Sequence, residues 1–358
     1  MPTLSARLLL ASLLLSLAAC GGGGGGGGGT TDGGEEPTPP TPPTPVAIYQ
    51  VDADSGPGIA GIYRPDDGII DGNVAATSTI GGVANAGFEQ AFGVHHDSRG
   101  DTMIIGCLNI AAILFFDGVA ALDGDVGPTR FLGGASTLIT LNNAYETYVD
   151  ETRDLLYVAY LDGVLVFENA ATINGDVAPV RHITGGNTGL VTGNRDKRLF
   201  IDETNDRLYV AEGDSASVLV WDNASTVDGD TAPNRTVAGN NTGFNFPWGI
   251  AVDVARDILY VADESANSIF VFDGAAALTG NVAPSRTITG ATSTVEGPAG
   301  IDVDPELDRL YVSHFPTAGA AIGIWDNAST VNGDVAPTRS LGGNNTPIDS
   351  TADVDVSR

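Results

Sequence analysis

One phrase recurs six times along this chain, and it constrains the fold more than any other feature. The phrase reads Gly-(Asp/Asn)-(Val/Thr)-(Ala/Gly)-(Pro/Ala), and its glycines are Gly72, Gly124, Gly175, Gly229, Gly280 and Gly333. Successive glycines lie 52, 51, 54, 51 and 53 residues apart. Self-similarity at such a period is the mark of a repeat architecture, so the chain is expected to be built from six copies of one unit.

Each copy contains four short apolar runs. In the most regular copy they cover residues 249–253, 258–262, 269–273 and 286–289. They are rich in Val, Ile, Tyr and Phe and are bounded by Asp, Asn, Gly and Pro, which predicts strands. Runs such as ILYVA are apolar on both faces, so each sheet must be covered on both sides. The pattern predicts an all-β fold, a six-bladed β-propeller of four-stranded blades over residues 46–358.

The two ends of the chain are predicted to complete one blade together. Five copies have an innermost strand that ends in aspartate, but only linker precedes Val46 in the first copy. The missing strand appears near the other terminus as ADVDV, residues 352–356. Pairing of the N- and C-terminal segments would close the ring and remove the free sheet edges of an open one.

The N-terminus reads as an export signal. Residues 1–19 carry one charged side chain, Arg7, followed by an apolar run too short to span a membrane. The run ends in Leu-Ala-Ala-Cys at residues 17–20, which resembles the lipobox of bacterial lipoproteins. That resemblance implies cleavage before Cys20 and acylation of its sulfur. The alternative is an ordinary signal peptide with a chance cysteine.

Residues 20–45 follow as a Gly-, Pro- and Thr-rich stretch that cannot form a core, which predicts a flexible linker. The lipid bilayer is then the first predicted partner, reached through acylated Cys20. Gly21 stands where an aspartate often retains lipoproteins in the inner membrane. The predicted location is therefore the bacterial cell envelope, on the outer membrane if the source is Gram-negative, facing the periplasm or the surface.

The chain is strongly acidic, with a formal net charge of -29 and a pI near 4.1. Nucleic acid and anionic membrane surfaces would be repelled by this field and are excluded as principal partners. Acidity of this size is typical of solubility in a saline or calcium-bearing medium. If Cys20 is acylated, Cys107 is the only thiol left, and its place in a strand predicts a buried apolar residue.

The runs LYVA, IFVFD and GIAVD resemble the NHL and YncE-like group of bacterial β-propellers, over about residues 46–358. The resemblance implies the fold, but this fold hosts scaffolds, binding proteins, lactonases and lyases alike. Calcium-dependent gluconolactonase-like propellers are the enzyme group to weigh, and they imply a metal on the axis. No local motif here matches theirs residue by residue.

Aspartates close the predicted innermost strands at Asp97, Asp150, Asp202, Asp253, Asp304 and Asp355. A ring of carboxylates near the axis could bind a hard cation such as calcium. The favoured interpretation is that each caps the hairpin to the next strand, because most are followed four residues later by a second aspartate.

Residues that break the repeat pattern are predicted to gather at the mouth opposite those hairpins and to bind a ligand: Glu89, His95, Glu146, Asn194, Arg195, Trp248, Glu296 and His314. The alternative for any one of them is ordinary sequence variation in a loop, with no role in binding. His95 and His96 are adjacent in a strand and must face opposite ways, so they cannot chelate one metal together. One should face the channel and the other the neighbouring blade.

Arginines recur in the predicted outer strands at Arg130, Arg181, Arg235, Arg286 and Arg339. They could form a docking ring. We expect each guanidinium instead to pair with an acidic side chain of its own or the adjacent blade, as a structural contact of small individual worth.

No serine elbow, zinc spacing, haem motif or phosphate-cradling loop occurs in the sequence. The leading hypothesis is a membrane-anchored propeller that binds a protein, a glycan or a small ligand or serves as a scaffold, without catalysis. The alternative is a calcium-assisted lactonase-type hydrolase with its site at the channel mouth. Calcium is the one cofactor left open.

Overall fold

The repeats fold into six four-stranded antiparallel sheets arranged as the blades of a propeller. A computed structural model describes residues 47–52, 59–64, 70–81, 91–108, 110–141, 144–193, 197–314, 321–343, 345 and 351–357. The predicted all-β, six-bladed fold is confirmed. Cys20, Glu89, Asn194 and Arg195 lie outside the described residues.

Each blade contributes one strand to each of four concentric layers. The innermost strands are β4 Ala91–Asp97, β8 Ala144–Asp150, β12 Lys197–Asp202, β16 Pro247–Asp253, β20 Pro298–Asp304 and β24 Thr351–Val356. The second strands are β1 Ile48–Asp52, β5 Thr102–Cys107, β9 Leu155–Tyr160, β13 Arg207–Glu212, β17 Ile258–Asp263 and β21 Arg309–His314. The third strands are β2 Ile59–Tyr63, β6 Ala112–Phe116, β10 Gly163–Glu168, β14 Ser217–Asp222, β18 Ser268–Asp273 and β22 Ala321–Asp326. The outer strands are β3 Ser78–Gly81, β7 Arg130–Gly133, β11 Arg181–Ile183, β15 Arg235–Ala238, β19 Arg286–Ile288 and β23 Arg339–Gly342.

Blade 1 is shared between the two ends of the chain, and blades 2 to 6 follow in chain order. Its sheet has the strand order β24, β1, β2, β3. Strand β24 pairs antiparallel with β1, with Val356 opposite Ile48 and Asp355 opposite Tyr49. The predicted closure is confirmed, and it gives blade 1 the innermost strand that its own repeat lacks.

The recurring glycine phrase forms a β-bridge from each blade to the preceding blade. Gly280 has a positive φ of 80° and forms a parallel bridge with Val237 of the preceding outer strand. The next side chain, Asn281, accepts the N–H of Asn241 through Oδ1 at 2.7 Å. The bridge between Gly72 and Leu341 joins blade 1 to blade 6 in the same way. The sequence landmark is therefore an inter-blade contact, and its glycine supplies a left-handed backbone.

The aspartates at the strand ends are hairpin caps, as the favoured interpretation predicts. Asp150 Oδ1 accepts the N–H of Arg153 at 2.8 Å. Four residues after the first aspartate, Asp154 adopts a positive φ of 56° and accepts the N–H of Ala171 at 2.9 Å. Side-chain oxygens of Asp97, Asp202, Asp253 and Asp304 accept backbone N–H groups of their turns in the same way.

Asp355 does not belong to this set, so its assignment as a hairpin cap is wrong. It lies opposite Tyr49, as Asp302 lies opposite Tyr311. Asp355 is therefore the equivalent of Asp302, two residues before the closing aspartate of blade 6. The register of β24 against β1 decides this, and Ser357 takes the position that the cap has elsewhere.

The outer arginines pair with acids of their own blades. Four guanidinium groups contact the aspartate at the end of the third strand: Arg130 with Asp117, Arg235 with Asp222, Arg286 with Asp273 and Arg339 with Asp326. The blade of Arg181 has Glu168 at that position. The predicted pairing within blades is confirmed for these four arginines. Their ion pairs join the outer strand to the end of the third strand in the same sheet.

The apolar core lies between adjacent blades. Tyr157 and Val166 of blade 3 pack in one cluster with Val210 and Trp221 of blade 4, and all four are buried. Cys107 is a buried free thiol, as predicted, and burial raises its pKa. Each sheet is covered on both faces by its neighbours, which explains the two-sided apolar strands of the sequence.

Deletion of residues 351–358 should destabilise the whole ring. It removes β24, which exposes the edge of β1 and the faces that β24 covers on blades 2 and 6. We expect a fall in melting temperature of more than about 10 °C, or aggregation, measured by circular dichroism. Deletion of eight residues from the glycine run, 21–28, is the length-matched control and should melt like the intact chain; equal melting of both variants would refute the role of β24.

Candidate functional site

The innermost strands turn alternate side chains toward the axis and so line the channel with two layers of six positions. We define the upper layer, nearer the start of each strand, as Gly93, Glu146, Arg198, Gly249, Gly300 and Asp353. The lower layer, nearer the hairpins, is His95, Tyr148, Phe200, Ala251, Asp302 and Asp355. Strand alternation places residues two apart on one face, so the layers follow from register alone.

A buried ion pair dominates the upper layer. Arg198 donates from Nη1 to Glu146 Oε2 at 2.6 Å, and the side chains are 6% and 9% exposed. The guanidinium carbon lies 5.5 Å from the ring centroid of Trp248, within cation–π range. Arg198 Nη2 is buried without a hydrogen-bond partner among the described residues. An unpaired buried donor is costly to the fold.

Glycines fill the other side of the upper layer because neighbouring innermost strands approach closely there. A Cβ on Gly249 would lie 2.2 Å from the carbonyl oxygen of Ala299, and one on Gly300 would lie 2.3 Å from Asp353 Oδ1. No side chain fits at these positions. The charged groups of the upper layer are therefore confined to blades 1, 3 and 4.

Burial shifts the acids of the upper layer toward their neutral forms. It raises the pKa of Glu146 well above its usual value, the Asp353 carboxylate adds to this rise, and Arg198 opposes it. Burial also raises the pKa of Asp353 to about 6, against the pull of Arg198 and of the Val94 N–H, which Asp353 Oδ2 accepts at 3.0 Å. The upper layer thus holds two weak acids beside one fixed cation.

The lower layer centres on His95 and Asp355. His95 Nδ1 lies 3.6 Å from Asp355 Oδ1, and its ring stacks on Tyr148 with centroids 4.5 Å apart. Asp355 Oδ2 accepts the N–H of His96 at 2.9 Å. Burial by itself would lower the pKa of His95, but the Asp355 carboxylate raises it overall. This pair is a buried base and a partly buried acid in contact range.

Two cavities open on these side chains. The axial cavity lies between the layers, has a volume of about 30 Å³ and is lined by groups that include Glu146, Arg198 and Asp353. That is room for about two waters. The hairpin-end cavity lies below the lower layer, has a volume of about 160 Å³, and is lined by His95, His96, Ser98, Tyr148, Glu151, Glu203, Asp355 and Val356. His95, Tyr148 and Asp355 line both cavities.

The structure brings only some of the predicted ligand-binding residues together. Glu146 and His95 both line the channel, and Trp248 is half-buried beside Arg198. His95 is not at the mouth opposite the hairpins, so its predicted position is wrong: it lies two residues before the hairpin that Asp97 caps. His96 faces the neighbouring blade, where it stacks on Tyr49 with centroids 4.6 Å apart. The two histidines therefore face opposite ways, as strand geometry requires.

Glu296 and His314 lie together at the other end of blade 6. Glu296 is exposed in the loop before β20, and His314 ends β21 and is buried. Burial lowers the pKa of His314 to about 4, while a backbone hydrogen bond with Glu296 opposes the shift. Within the described part of the chain, neither residue lines the two cavities.

The channel contains functional candidates that the repeat pattern does not single out: Tyr148, Arg198, Asp302 and Asp353. A gap-free alignment of the innermost strands finds them, as GVHHD, ETYVD, RLFID, GIAVD, GIDVD and DVDVS at residues 93–97, 146–150, 198–202, 249–253, 300–304 and 353–357. The first and third positions of each are the two layers. Alignment of Asp355 with the closing aspartates shifts the last strand by two residues and hides this signal.

The gluconolactonase-like propellers imply a calcium ion on the axis, held by side chains from different blades. Among the described residues, no group of three or more His, Cys, Asp or Glu side chains is arranged to hold a metal ion. Glu146 already contacts a guanidinium at 2.6 Å, so a divalent cation on this carboxylate would lie against a fixed positive charge.

Comparison with known proteins agrees with this architecture. The sequence model of the NHL repeat matches residues 244–272, which cover β16, β17 and most of β18. The match to the NHL repeat thus lies within blade 5, and the chain as a whole is a six-bladed β-propeller, a fold that is consistent with a binding or scaffold module. No curated protein matches the chain.

Solved structures share the fold at low identity. A chain in the crystal structure of a nidogen/laminin complex is 12% identical, with a TM-score of 0.54, and the match covers 87% of this propeller chain and 98% of that chain. A functionally unknown protein from Desulfotomaculum acetoxidans DSM 771 is 10% identical, with a TM-score of 0.50 and coverage of 84% and 80%. At these identities the likeness shows the fold alone. The described residues also contain no helix long and apolar enough to cross a membrane.

Asp353→Asn should stabilise the propeller at neutral pH. The folded pKa of about 6 lies above the ordinary value of 3.8, so the folded state binds the extra proton and loses stability as pH rises from about 4 to about 6. Asparagine keeps an acceptor for the Val94 N–H and removes the buried charge. We expect a gain on the order of 2–3 kcal/mol in the free energy of unfolding at pH 7.

Urea unfolding at pH 4 and pH 7 checks this expectation, because the gain should nearly vanish at pH 4. Asp228→Asn is the matched control: Asp228 also accepts a backbone N–H, that of His182 at 2.8 Å, but in an exposed setting. A gain of equal size at both pH values would contradict the assignment of the effect to Asp353.

Proposed function

We propose that this chain is a membrane-anchored binding module that takes a small ligand, or a side chain of a larger partner, into its axial channel. The observation that carries the proposal is the cluster of charged side chains on the channel wall. Glu146, Arg198 and Asp353 stand in a layer whose other three members are glycine.

The lower layer shows that charged side chains are not required at every wall position. Phe200 and Ala251 occupy lower-layer positions equivalent to those of His95 and Asp355, so the innermost strands of their two blades carry apolar side chains there. Buried ionisable groups cost stability unless they are fully paired. Arg198 Nη2 is without a partner in the described structure, which supports a role for the cluster in binding.

Anchoring is the second part of the proposal and rests on the sequence. The Leu-Ala-Ala-Cys run at residues 17–20 and the linker that follows would hold the propeller near a bilayer of the bacterial cell envelope. The linker would keep its faces clear of the lipid. A tethered module of this kind needs no catalysis.

Cys20→Ser should move the protein from the membrane fraction to the soluble fraction, because the acyl group on Cys20 is the proposed tether. The measurement is fractionation of cells expressing each form, with a high-salt wash. Cys107→Ser is the control and should stay membrane-bound. Retention of the Cys20→Ser variant after the wash would refute the anchor.

Binding in the channel can be tested with a panel of small molecules of different chemical classes. Amines, amino acids, carboxylic acids and monosaccharides at millimolar concentration are screened for a rise in melting temperature of the full chain. The test variant is Asp355→Asn, because Asp355 lines both cavities and asparagine can still accept the N–H of His96.

Asp228→Asn, with the same change in charge at the outer rim, is the matched control. We expect at least one compound class to raise the melting temperature of the native chain and of the control by more than about 2 °C and to fail with Asp355→Asn. No shift from any class, or equal shifts in all three proteins, would sink the proposal.

A further inference from the structure

Strand β24 is fastened to blade 1 differently from the other innermost strands. Of the six in the described chain, β24 alone has no hairpin to the second strand of its blade, whereas β4 continues through a turn into β5, and the others do likewise. At that place the Ser357 N–H donates to the Ala47 carbonyl oxygen at 2.9 Å, and the Ala47 N–H donates to Ser357 Oγ at 2.8 Å. The ladder between β1 and β24 also shifts register between Val51 and Asp52. Hydrogen bonds therefore hold the end of β24 where a covalent turn holds the other five.

Three carboxylates bind β24 to the innermost strands on either side of it. Asp353 and Asp355 belong to β24 and bond to β4 of blade 2, while Asp302 belongs to β20 of blade 6 and bonds to β24. The bonds are 3.0, 2.9 and 3.0 Å long: Val94 N–H to Asp353 Oδ2, His96 N–H to Asp355 Oδ2 and Val356 N–H to Asp302 Oδ2. An innermost strand is the edge of its sheet and leaves N–H groups without a ladder partner, so these carboxylates satisfy donors that face the next blade.

The apolar contribution of β24 is small. Its buried apolar side chains are Ala352, Val354 and Val356, and the acids Asp353 and Asp355 separate them. Hydrophobic stabilisation scales with the apolar area removed from water, and alanine and valine offer little of it. The position of the strand therefore depends on its ladder to β1 and on the three carboxylate bonds.

Charge repulsion opposes the carboxylate bonds. The titratable groups that face Asp353 and Asp355 come from every strand and turn around them: Tyr49 on β1, His95 on β4, Glu146 and Tyr148 on β8, Arg198 on β12, Asp302 on β20, and Glu151 and Glu203 in the hairpin turns of blades 3 and 4. Carboxylates outnumber basic side chains in this set. Each further acid that ionises therefore raises the electrostatic energy of the closed ring.

Asp353 couples this repulsion to pH. Burial raises its pKa to about 6 in the closed ring, against the pull of Arg198, and exposure on detachment of the strand would return it toward 3.8. The closed state thus binds the proton more tightly than the detached state. The closed state loses stability as pH rises from about 4 to about 6.

Strand β24 also forms part of the wall of both cavities. Asp353, Val354 and Asp355 line the axial cavity, and Asp355 and Val356 line the hairpin-end cavity. The axial cavity has room for about two waters, so entry of a larger ligand needs a movement of its wall. Detachment of this one strand would open both cavities at once.

We propose that β24 is a strap over the channel, which detaches from β1 and β4 while the other strands stay folded and so admits small molecules to both cavities. Ionisation of the axial acids favours the detached state. The detachment goes beyond the proposed binding function and is measurable without a ligand, whereas its use for ligand entry rests on that function.

Native-state hydrogen exchange of the full chain, followed by mass spectrometry, tests the detachment at pH 7 in increasing sub-denaturing urea. Peptides that cover residues 351–357 are compared with peptides that cover 247–253, the innermost strand of blade 5, which a hairpin holds. We expect protection at least about tenfold lower in 351–357, with little dependence on urea, because a local opening exposes little surface. Equal protection, or a urea dependence as steep as that of 247–253, would mean that β24 leaves only on global unfolding and would overturn the strap.

The variant Asp353→Asn keeps an acceptor for the Val94 N–H and removes the charge. We expect it to raise the protection of 351–357 at least about tenfold at pH 7 but less than about fivefold at pH 4, where Asp353 already holds its proton in the closed ring. Asp228→Asn, which changes an exposed acceptor of the His182 N–H, is the matched control and should leave this protection unchanged. Equal gains at both pH values, or an equal gain in the control, would refute control of the strap by axial charge. The comparison of the two strands in the native chain stands even if a variant folds poorly.

Entry past the strap is tested with a thiol on the channel wall away from β24. Ala251→Cys places this thiol in the lower layer of blade 5, where the native side chain is 1% exposed, and its reaction with neutral 4,4′-dithiodipyridine is followed by mass spectrometry. Addition of Asp353→Asn should slow the reaction by the factor by which it raises the protection of 351–357. An unchanged rate would show that molecules enter by another route, and the strap would not be the entrance. If the small-molecule panel finds a ligand while both strands exchange alike, the binding function stands and the strap is wrong.

Discussion

Ring closure is the constraint on which the rest of the structure depends. Each blade buries both faces only against its neighbours, so a missing contact anywhere leaves apolar strands in water. Two devices enforce closure. The glycine phrase bridges each blade to the preceding outer strand, and β24 completes blade 1 from the far end of the chain. The same parts that hold the ring also bring six innermost strands to one axis.

The six repeats differ most clearly in the side chains that face the axis. The hairpin caps and the glycine-phrase bridges between blades recur because turn geometry and inter-blade contact are the same in every copy. The side chains that face the channel do not repeat in this way, and they range from Gly249 and Ala251 to Arg198 and Asp353. Such a position is alanine in one blade and a buried carboxylate in another. The geometry that all blades share therefore does not determine which residue stands there. That contrast is the reason to look for a ligand at the channel wall.

The two cavities of the channel differ in size and in the chemical groups that line them. The axial cavity holds a guanidinium, an unsatisfied donor and two acids with raised pKa values, in room for about two waters. The hairpin-end cavity is larger and lined by acids and aromatic rings. His95 and Asp355 line both cavities, so a change in the charge of either residue would alter the electrostatic potential in both cavities.

The sequence alone determined the fold class, because a period near 52 residues with four two-sided apolar strands has few solutions. It also predicted the closing strand, the capping role of Asp150 and its equivalents, and the opposite orientations of His95 and His96, since turn chemistry and strand alternation are local. It predicted less of the site: His95 and Glu146 line the channel, while Glu296 and His314 lie elsewhere in blade 6. Only the tertiary structure decided that Asp355 faces the axis, because β24 pairs with a strand about 300 residues away and its register is set by that pairing. It alone joined Arg198 to Glu146 across two blades, since one repeat period separates them and the packing of adjacent blades brings them into contact.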